Sequence, residues 1–564
     1  MNCTCPLLAL TALLVLAASS TSTAAAEGDL RVWTADSLLN MLPSAAAPAA
    51  PATSITIEAA ANEIESAQVA LRSPVAVSGV TARIAQDVAF PASSGPSLRL
   101  RWVGLVPLDV NTDDSGWPRE PLAPIARAPT DLPDPLLDDA SIDLPANTTR
   151  ALWVDVNVPA STSAGTYRGR IEIHAGGRSI PVPIEVRVFG AQVPQERHLK
   201  VLQWLHANQL AGAFKVRAWS DQFWPVLEMA AANMAQHRQN IGFVEMDQVM
   251  ILRGREDGEW TVDFSLFDRA VETYMAQGVR DGIFAQSLAG RNEWTAPIFN
   301  ARNFRIIRPD GSTGRFPPPN TRAPSEQFEA FCARFLPILE KHLTEKGWIN
   351  IYLQSLADEP LAANAAAFRQ IGEICRKYAP NIRRCDALRT DRPIDGALDV
   401  YVPILASGDT NLAFFDQKRQ EGAEVWFYTC ERPRGGHFNR FVDHPLIKVR
   451  LLHWMNWKLK MPGHLHWGYN YWPNNPFRTL NMGRPAPGDC FIVYPYNGRI
   501  ADSIRHEAMR DGIEDYELLW VVAQKDPRRA DEICNRMIQS QTQYVRDIEQ
   551  FRRIRRELLE AAGA

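Results

Sequence analysis

An N-terminal antiparallel β-sandwich, a (β/α)8 barrel of the TIM type and a helical C-terminal extension form the multidomain architecture that this sequence predicts, on three observations. The 564 residues exceed one ordinary domain. Up to about Gly190 short apolar runs alternate with period two, broken by Pro, Gly and Ser, as in Thr149–Pro159 and Gly165–Ile173. After Pro194 the period changes, and apolar strand-like runs alternate with helical stretches.

In chain order, residues 1–26 hold a short apolar run, Leu7–Ala18, followed by small residues that end in Ala24-Ala25-Ala26. This reads as a cleaved secretory signal, too short to span a bilayer, and predicts a secreted or periplasmic protein. Residues 27–195 are the sandwich, with Gly176-Gly177 as a hairpin turn between two strands. Residues 196–520 are the barrel. Its strands are expected at Leu199–Leu205, Ile241–Val244, Gly282–Ala285, Ile349–Leu353, Arg383–Leu388, Leu398–Ile404, Glu424–Thr429 and His464–Tyr471. The clearest crossover helix is Glu326–Lys346, with Phe328, Phe331, Phe335, Leu339 and Leu343 on one face. Residues 521–564 are charged, proline-poor and amphipathic, hence the helical extension.

Composition narrows the function. Lys and Arg number 60 against 64 Asp and Glu, a net charge of -4, so no broad basic surface exists to hold a nucleic-acid backbone. No later apolar run is long enough for a membrane span. The cysteines after the signal are Cys332, Cys375, Cys385, Cys430, Cys490 and Cys534; without a C-x-x-C pair they predict no zinc site, and buried free thiols are expected ahead of disulfides, with Cys375 and Cys385 the pair to test. No cofactor is called for, and oligomeric state is not readable.

The chemistry concentrates in Ile349–Pro360, a strand that ends in Asp358-Glu359-Pro360. Barrel enzymes act at the C-terminal ends of their strands, where loops shape a pocket. Pro360 biases Glu359 toward extended backbone and ends the ladder. With Ala61–Leu71, Met234–Asn240, Phe335–Trp348 and Ser503–Tyr516, this segment resembles glycoside hydrolase family 123 over nearly the whole chain after the signal. The resemblance implies a glycan substrate and a substrate-assisted hexosaminidase acting on terminal β-linked N-acetylgalactosamine. Glu359 is then the general acid and base, and Asp358 orients the substrate acetamide and stabilises the developing oxazolinium charge.

Two competitors stand beside it. Glu431, after the seventh strand, predicts a double-displacement glycosidase with Glu359 as acid on a non-acetamido sugar, provided the carboxylates lie about 5 to 5.5 Å apart. A non-catalytic carbohydrate-binding protein would use the aromatic wall alone. That wall is His464–Trp472, where strand alternation puts Trp467, Tyr469 and Tyr471 on one face and His466, Asn470 and Trp472 on the other. Trp467, Trp472 and Asn470 are expected to contact sugar, Tyr428 to donate to the acetamide carbonyl, and His206 to touch the substrate. His464 and His466 have no third ligand at metal spacing. Arg505, Glu507, Arg510 and Asp511, at the barrel mouth, read as an ion-pair network.

Overall fold

The computed structural model describes Met1 and residues 30–85, 95–112, 122–389, 394–406, 412–483 and 485–564. Residues 2–26 of the predicted signal lie outside them. Two five-stranded sheets open the chain. In one, Arg31–Asp36, Glu63–Arg72, Thr149–Val158, Ser97–Leu108 and Thr130–Leu137 pair antiparallel. The other contains the predicted hairpin: Gly176 and Gly177 have φ of 56° and 75°, the left-handed pair that a two-residue turn between right-twisted strands requires. This sheet corrects the all-antiparallel expectation, because Ile55–Ala61 runs parallel to Arg178–Gln192. Val69, Leu152, Val154 and Val156 from one sheet and Ile57, Ile171, Ile173 and Val186 from the other share one core.

The second region is a nearly closed, barrel-like parallel sheet of nine strand segments. In chain order these are Lys200–Gln203, Ile241–Val244, Gly282–Ala285, Tyr352–Gln354, Arg383–Leu388, Val400–Pro403, Glu424–Val425, Phe427–Thr429 and Gly463–His466. Each lies within, or within one residue of, a predicted run. The two ends of the sheet, Glu424–Val425 and Phe427–Thr429, are separated only by Trp426, and a parallel bridge joins Ile404 to Tyr428. Leu202, Phe243, Phe284, Leu353, Val402 and Leu465 fill its interior. Ser325 caps the helix Glu326–Glu345, accepting from the Phe328 N–H, and every apolar residue predicted for its inner face is buried. Among the described residues no helix crosses between Arg383–Leu388 and Val400–Pro403; that connection is too short for the helical crossover usual in such units.

Helices Ile504–Lys525, Pro527–Met537 and Ile548–Gly563 end the chain. Among the described residues no helix is long and apolar enough to cross a membrane.

Candidate active site

Asp358 and Glu359 follow the strand Tyr352–Gln354, at its C-terminal end. Glu359 is not extended as Pro360 suggested: Asp358 and Glu359 have φ of 51° and 41°, consecutive left-handed residues. Aspartate visits that region with local hydrogen bonding, glutamate rarely, and each L-residue there costs about 1 to 2 kcal/mol. The offset is visible. The carboxylate of Asp386, on the neighbouring strand, accepts from the backbone N–H groups of Leu356 (2.9 Å), Ala357 (3.0 Å) and Asp358 (3.1 Å) and from Ser355 Oγ (2.9 Å). The Glu359 N–H donates to Ala387 O at 3.0 Å, and Arg291 donates to Glu359 O at 2.8 Å. A single buried acid therefore clamps the turn that presents two others. Burial pushes Asp386 up to about 6, against the lowering pull of those hydrogen bonds.

The pair lines a cavity of about 720 Å³ with Trp204, Trp294, Arg389, Tyr428, Glu431, Trp467, Tyr471 and Asp489. A second cavity of about 450 Å³ shares Trp204, Trp294 and Asp358 with it and adds His206, Phe243, Glu245, Phe284 and Arg302. Asp358 thus faces both. Tyr428 donates its hydroxyl to Glu359 Oε1. Burial raises Glu359, opposed by the Tyr428 hydrogen bond and by Arg389 and Arg291. Burial, then the charges of Glu359 and Asp386, hold Asp358 well above the usual carboxylate range. The two titrate as a unit. Glu245, at the end of the second barrel strand, is pushed by burial to about 7 and accepts the Ala207 N–H at 3.1 Å.

Trp467 is fixed from behind. Its indole N–H donates to Asp489 Oδ2 at 3.1 Å, and burial takes Asp489 to about 7. Gly468 permits this, since a Cβ there would meet Asp489 O and Cys490 at 2.6 Å.

These shapes and charges agree with what the chain resembles. Residues 204–522 match the glycoside hydrolase 123 catalytic domain, and residues 122–175 match the glycoside hydrolase 123 N-terminal domain. The chain belongs to glycoside hydrolase family 123. Among solved structures, a family 123 glycoside hydrolase from Clostridium perfringens, described for its hydrolysis of glycolipid glycans, is 15% identical; the match covers 94% of this chain and 98% of that one, with a TM-score of 0.75. An Ig-like-domain GH10 xylanase from termite gut is 13% identical, over 64% of this chain and 90% of that one, with a TM-score of 0.29. A Parabacteroides merdae β-glucuronidase is 7% identical over 80% and 50%, with a TM-score of 0.32. No curated protein sequence matches significantly.

For this family 123 glycoside hydrolase, the structure gathers Asp358, Glu359, Tyr428 and Trp467 around one cavity and places His206 in the adjoining one. Tyr428 meets Glu359 there, where the sequence pointed to the acetamide. Asn470 is a correction: it is fully buried, and its amide is spent on the backbone N–H and C=O of His206. Trp472 is another, its N–H donating to Val493 O and its ring lining a separate cavity. The predicted alternation fails because the last strand ends at His466. Trp467 and Tyr471 then reach the cavity from a loop, while Tyr469 is buried and donates to Asn233.

Trp204, Trp294 and Trp467 are the tryptophans that line the cavity. His464 and His466 are buried, bonded to Thr429 and to Arg440 and Gly468. The remaining cysteines are buried and free, Cys375 and Cys385 included. His237, Asp502 and His506 bring ligand atoms together, but the two rings stack 3.5 Å apart with planes 9° apart. No ion could lie in both ring planes, so this cluster does not fit a metal. Sequence reasoning missed Asp386, Glu245, Trp204, Trp294, Arg389 and Asp489; an acid between Cys385 and Ala387 inside a buried strand was the readable signal for Asp386.

Proposed function

We propose that this glycoside hydrolase is exported and releases terminal β-linked N-acetylhexosamine, N-acetylgalactosamine first, by substrate-assisted retaining catalysis on a (β/α)8 barrel. In that barrel Glu424–Val425 and Phe427–Thr429 are halves of the seventh strand. Glu359 protonates the leaving oxygen and then activates water, a task for which its raised pKa suits it. Asp358 accepts the acetamide N–H, and the cationic charge developing on the acetamide carbon draws its proton affinity down when the carboxylate is needed. Tyr428 exchanges Glu359 for the acetamide carbonyl as substrate enters, and Trp467 stacks on the sugar. His206 faces the adjoining cavity. A glycolipid glycan, the substrate class named for the Clostridium perfringens enzyme, is a candidate natural source of the sugar.

One observation carries this over the double-displacement reading. The seventh-strand side chain touching Glu359 is a tyrosine hydroxyl, while the Glu431 carboxylate stands 3.8 Å from Arg434 Nη2. Two adjacent acids on one kinked backbone serve one face of a sugar, which an acetamide nucleophile supplied by the substrate complements. The experiment is a panel of aryl β-glycosides with and without the 2-acetamido group, run on wild type and Glu431→Gln. Turnover confined to acetamido sugars, retained in Glu431→Gln within about tenfold, is expected. A trapped glycosyl-enzyme or equal turnover of plain galactosides overturns it.

A further inference from the structure

Trp294 is one of the few large apolar side chains left exposed, at 46%, and it lines both cavities where they meet at Asp358. Two guanidinium groups lie over its ring, Arg291 at 4.0 Å and Arg389 at 5.3 Å from the ring centroid. Their commitments differ. Arg291 donates to Glu359 O and so belongs to the turn. Arg389, half-buried on the loop after the fifth barrel strand, makes neither a hydrogen bond nor an ion pair among the described residues, although it lines the larger cavity and its charge reaches Glu359 and Tyr428. The nearby acids have other partners: Glu431 faces Arg434, and Asp489 holds Trp467. Five N–H donors in a rigid fork, held beside an indole ring and lining a cavity, match the two oxygens of a carboxylate or sulfate.

We propose that Arg389, seated on Trp294, is an anion-binding subsite for a carboxylate or sulfate on the leaving-group sugar, so that the preferred substrate is an acidic glycan. This rests on the function proposed above, in which Glu359 protonates the leaving oxygen; Arg389 lines the same cavity as Glu359, and the leaving sugar must lie beside that carboxyl.

The test uses two disaccharides with the same terminal β-linked N-acetylgalactosamine, one on a neutral hexose and one on the matching uronic acid, and a third carrying a sulfate ester. Wild type is expected to favour the acidic partners by about tenfold in kcat/KM, the scale of one charge-assisted pair. The preference shrinks with added salt. Arg389→Gln brings the ratio close to one, and Arg389→Lys keeps part of it. The ratio is the readout because any effect of Arg389 on Glu359 strikes all substrates alike. Binding of the same sugars to Glu359→Gln reads the preference without turnover. If acetamido aryl glycosides are cleaved but neither rates nor binding favour the acid, the subsite is wrong and the function stands. If no acetamido glycoside is cleaved, the function falls, and binding to Glu359→Gln alone decides the subsite. Arg389→Gln that keeps a tenfold preference overturns the assignment to this residue.

Discussion

Two groups of buried acids divide the molecule. At the cavity, beside Asp358, Glu359 accepts from a tyrosine hydroxyl, and behind them Asp386 accepts from a serine and backbone N–H groups. Between the first sheet and the last barrel helix, Glu65, Asp155, Asp502, Glu507, Asp511 and Asp515 are met by arginines. Arg101 reaches Asp155 (2.5 Å), Asp502 (2.6 Å) and Glu507. Arg450 reaches Glu65 through two bonds (2.8 and 2.9 Å) and Asp515 at 2.9 Å. Arg505, Glu507, Arg510 and Asp511 belong to this second group rather than to the barrel mouth, for none lines the cavity. Burial acts on both groups alike. In the second the arginines overcome it at Glu65, Glu507 and Asp515, which are held below the carboxylate range, while Asp358 at the cavity is held well above it. Glu63 and Asp511 mark the limit: burial pushes Glu63 to about 7 despite Arg555 and holds Asp511 well above the carboxylate range despite Arg510 and Arg450. Like acids therefore differ by what faces them: paired charge joins the first sheet to the last helix, and under the proposed function the acids at the cavity are the ones that move protons.

The sharpest way to break that contrast is at the cavity. Glu359→Gln and Asp358→Asn are each expected to lower kcat/KM on an acetamido glycoside by about 10³-fold, within the range of general acid–base and charge-stabilising groups. Neither should lower the unfolding temperature, because each removes an acid that the fold holds at a cost. A variant that loses both activity and stability would place the residue among the structural acids. Next in size is Arg450→Met. It leaves Glu65 and Asp515 buried with one fewer cation, and should cost about 3–5 kcal/mol of stability by denaturant unfolding. Substrate turnover by the folded fraction should be unchanged.

Much of this was legible before the structure. The barrel strands are short runs with nearly every residue buried, and such runs announce themselves whatever their partners. The Asp358-Glu359 pair was readable from its place after one of them. The aromatic wall was not, because alternation was extended past His466 into a chain that leaves the sheet where Gly468 lies against Asp489 and Cys490. Asn470 then turns to the His206 backbone instead of the sugar. Asp386 left one local trace, an acid inside a buried strand, but the turn it holds and the ring beside Arg389 come from residues far away in sequence, so no local pattern carries their roles.

The smallest expected effect tests the contrast by its sign with pH. Asp358 and Glu359 have folded pKa values above their unfolded ones, so between those values the folded state binds more protons and stability falls as pH rises. Replacing either removes that fall. The stability of Glu359→Gln relative to wild type should be flat below about pH 4, the unfolded carboxyl range, and climb toward neutrality by at most about 1.4 kcal/mol per pH unit. Asp515 behaves oppositely. Against the burial that would raise it, Arg450 and Arg555 hold it below its ordinary value, so its contribution is present above the unfolded pKa and is lost as pH falls through the folded one. Asp515→Asn should therefore be least destabilising in acid and reach its full cost above about pH 4. Unfolding curves of both variants between pH 3 and 8, subtracted from wild type, should slope in opposite regions and with opposite sign; parallel differences would mean that arginine contact is not what separates the two groups of acids.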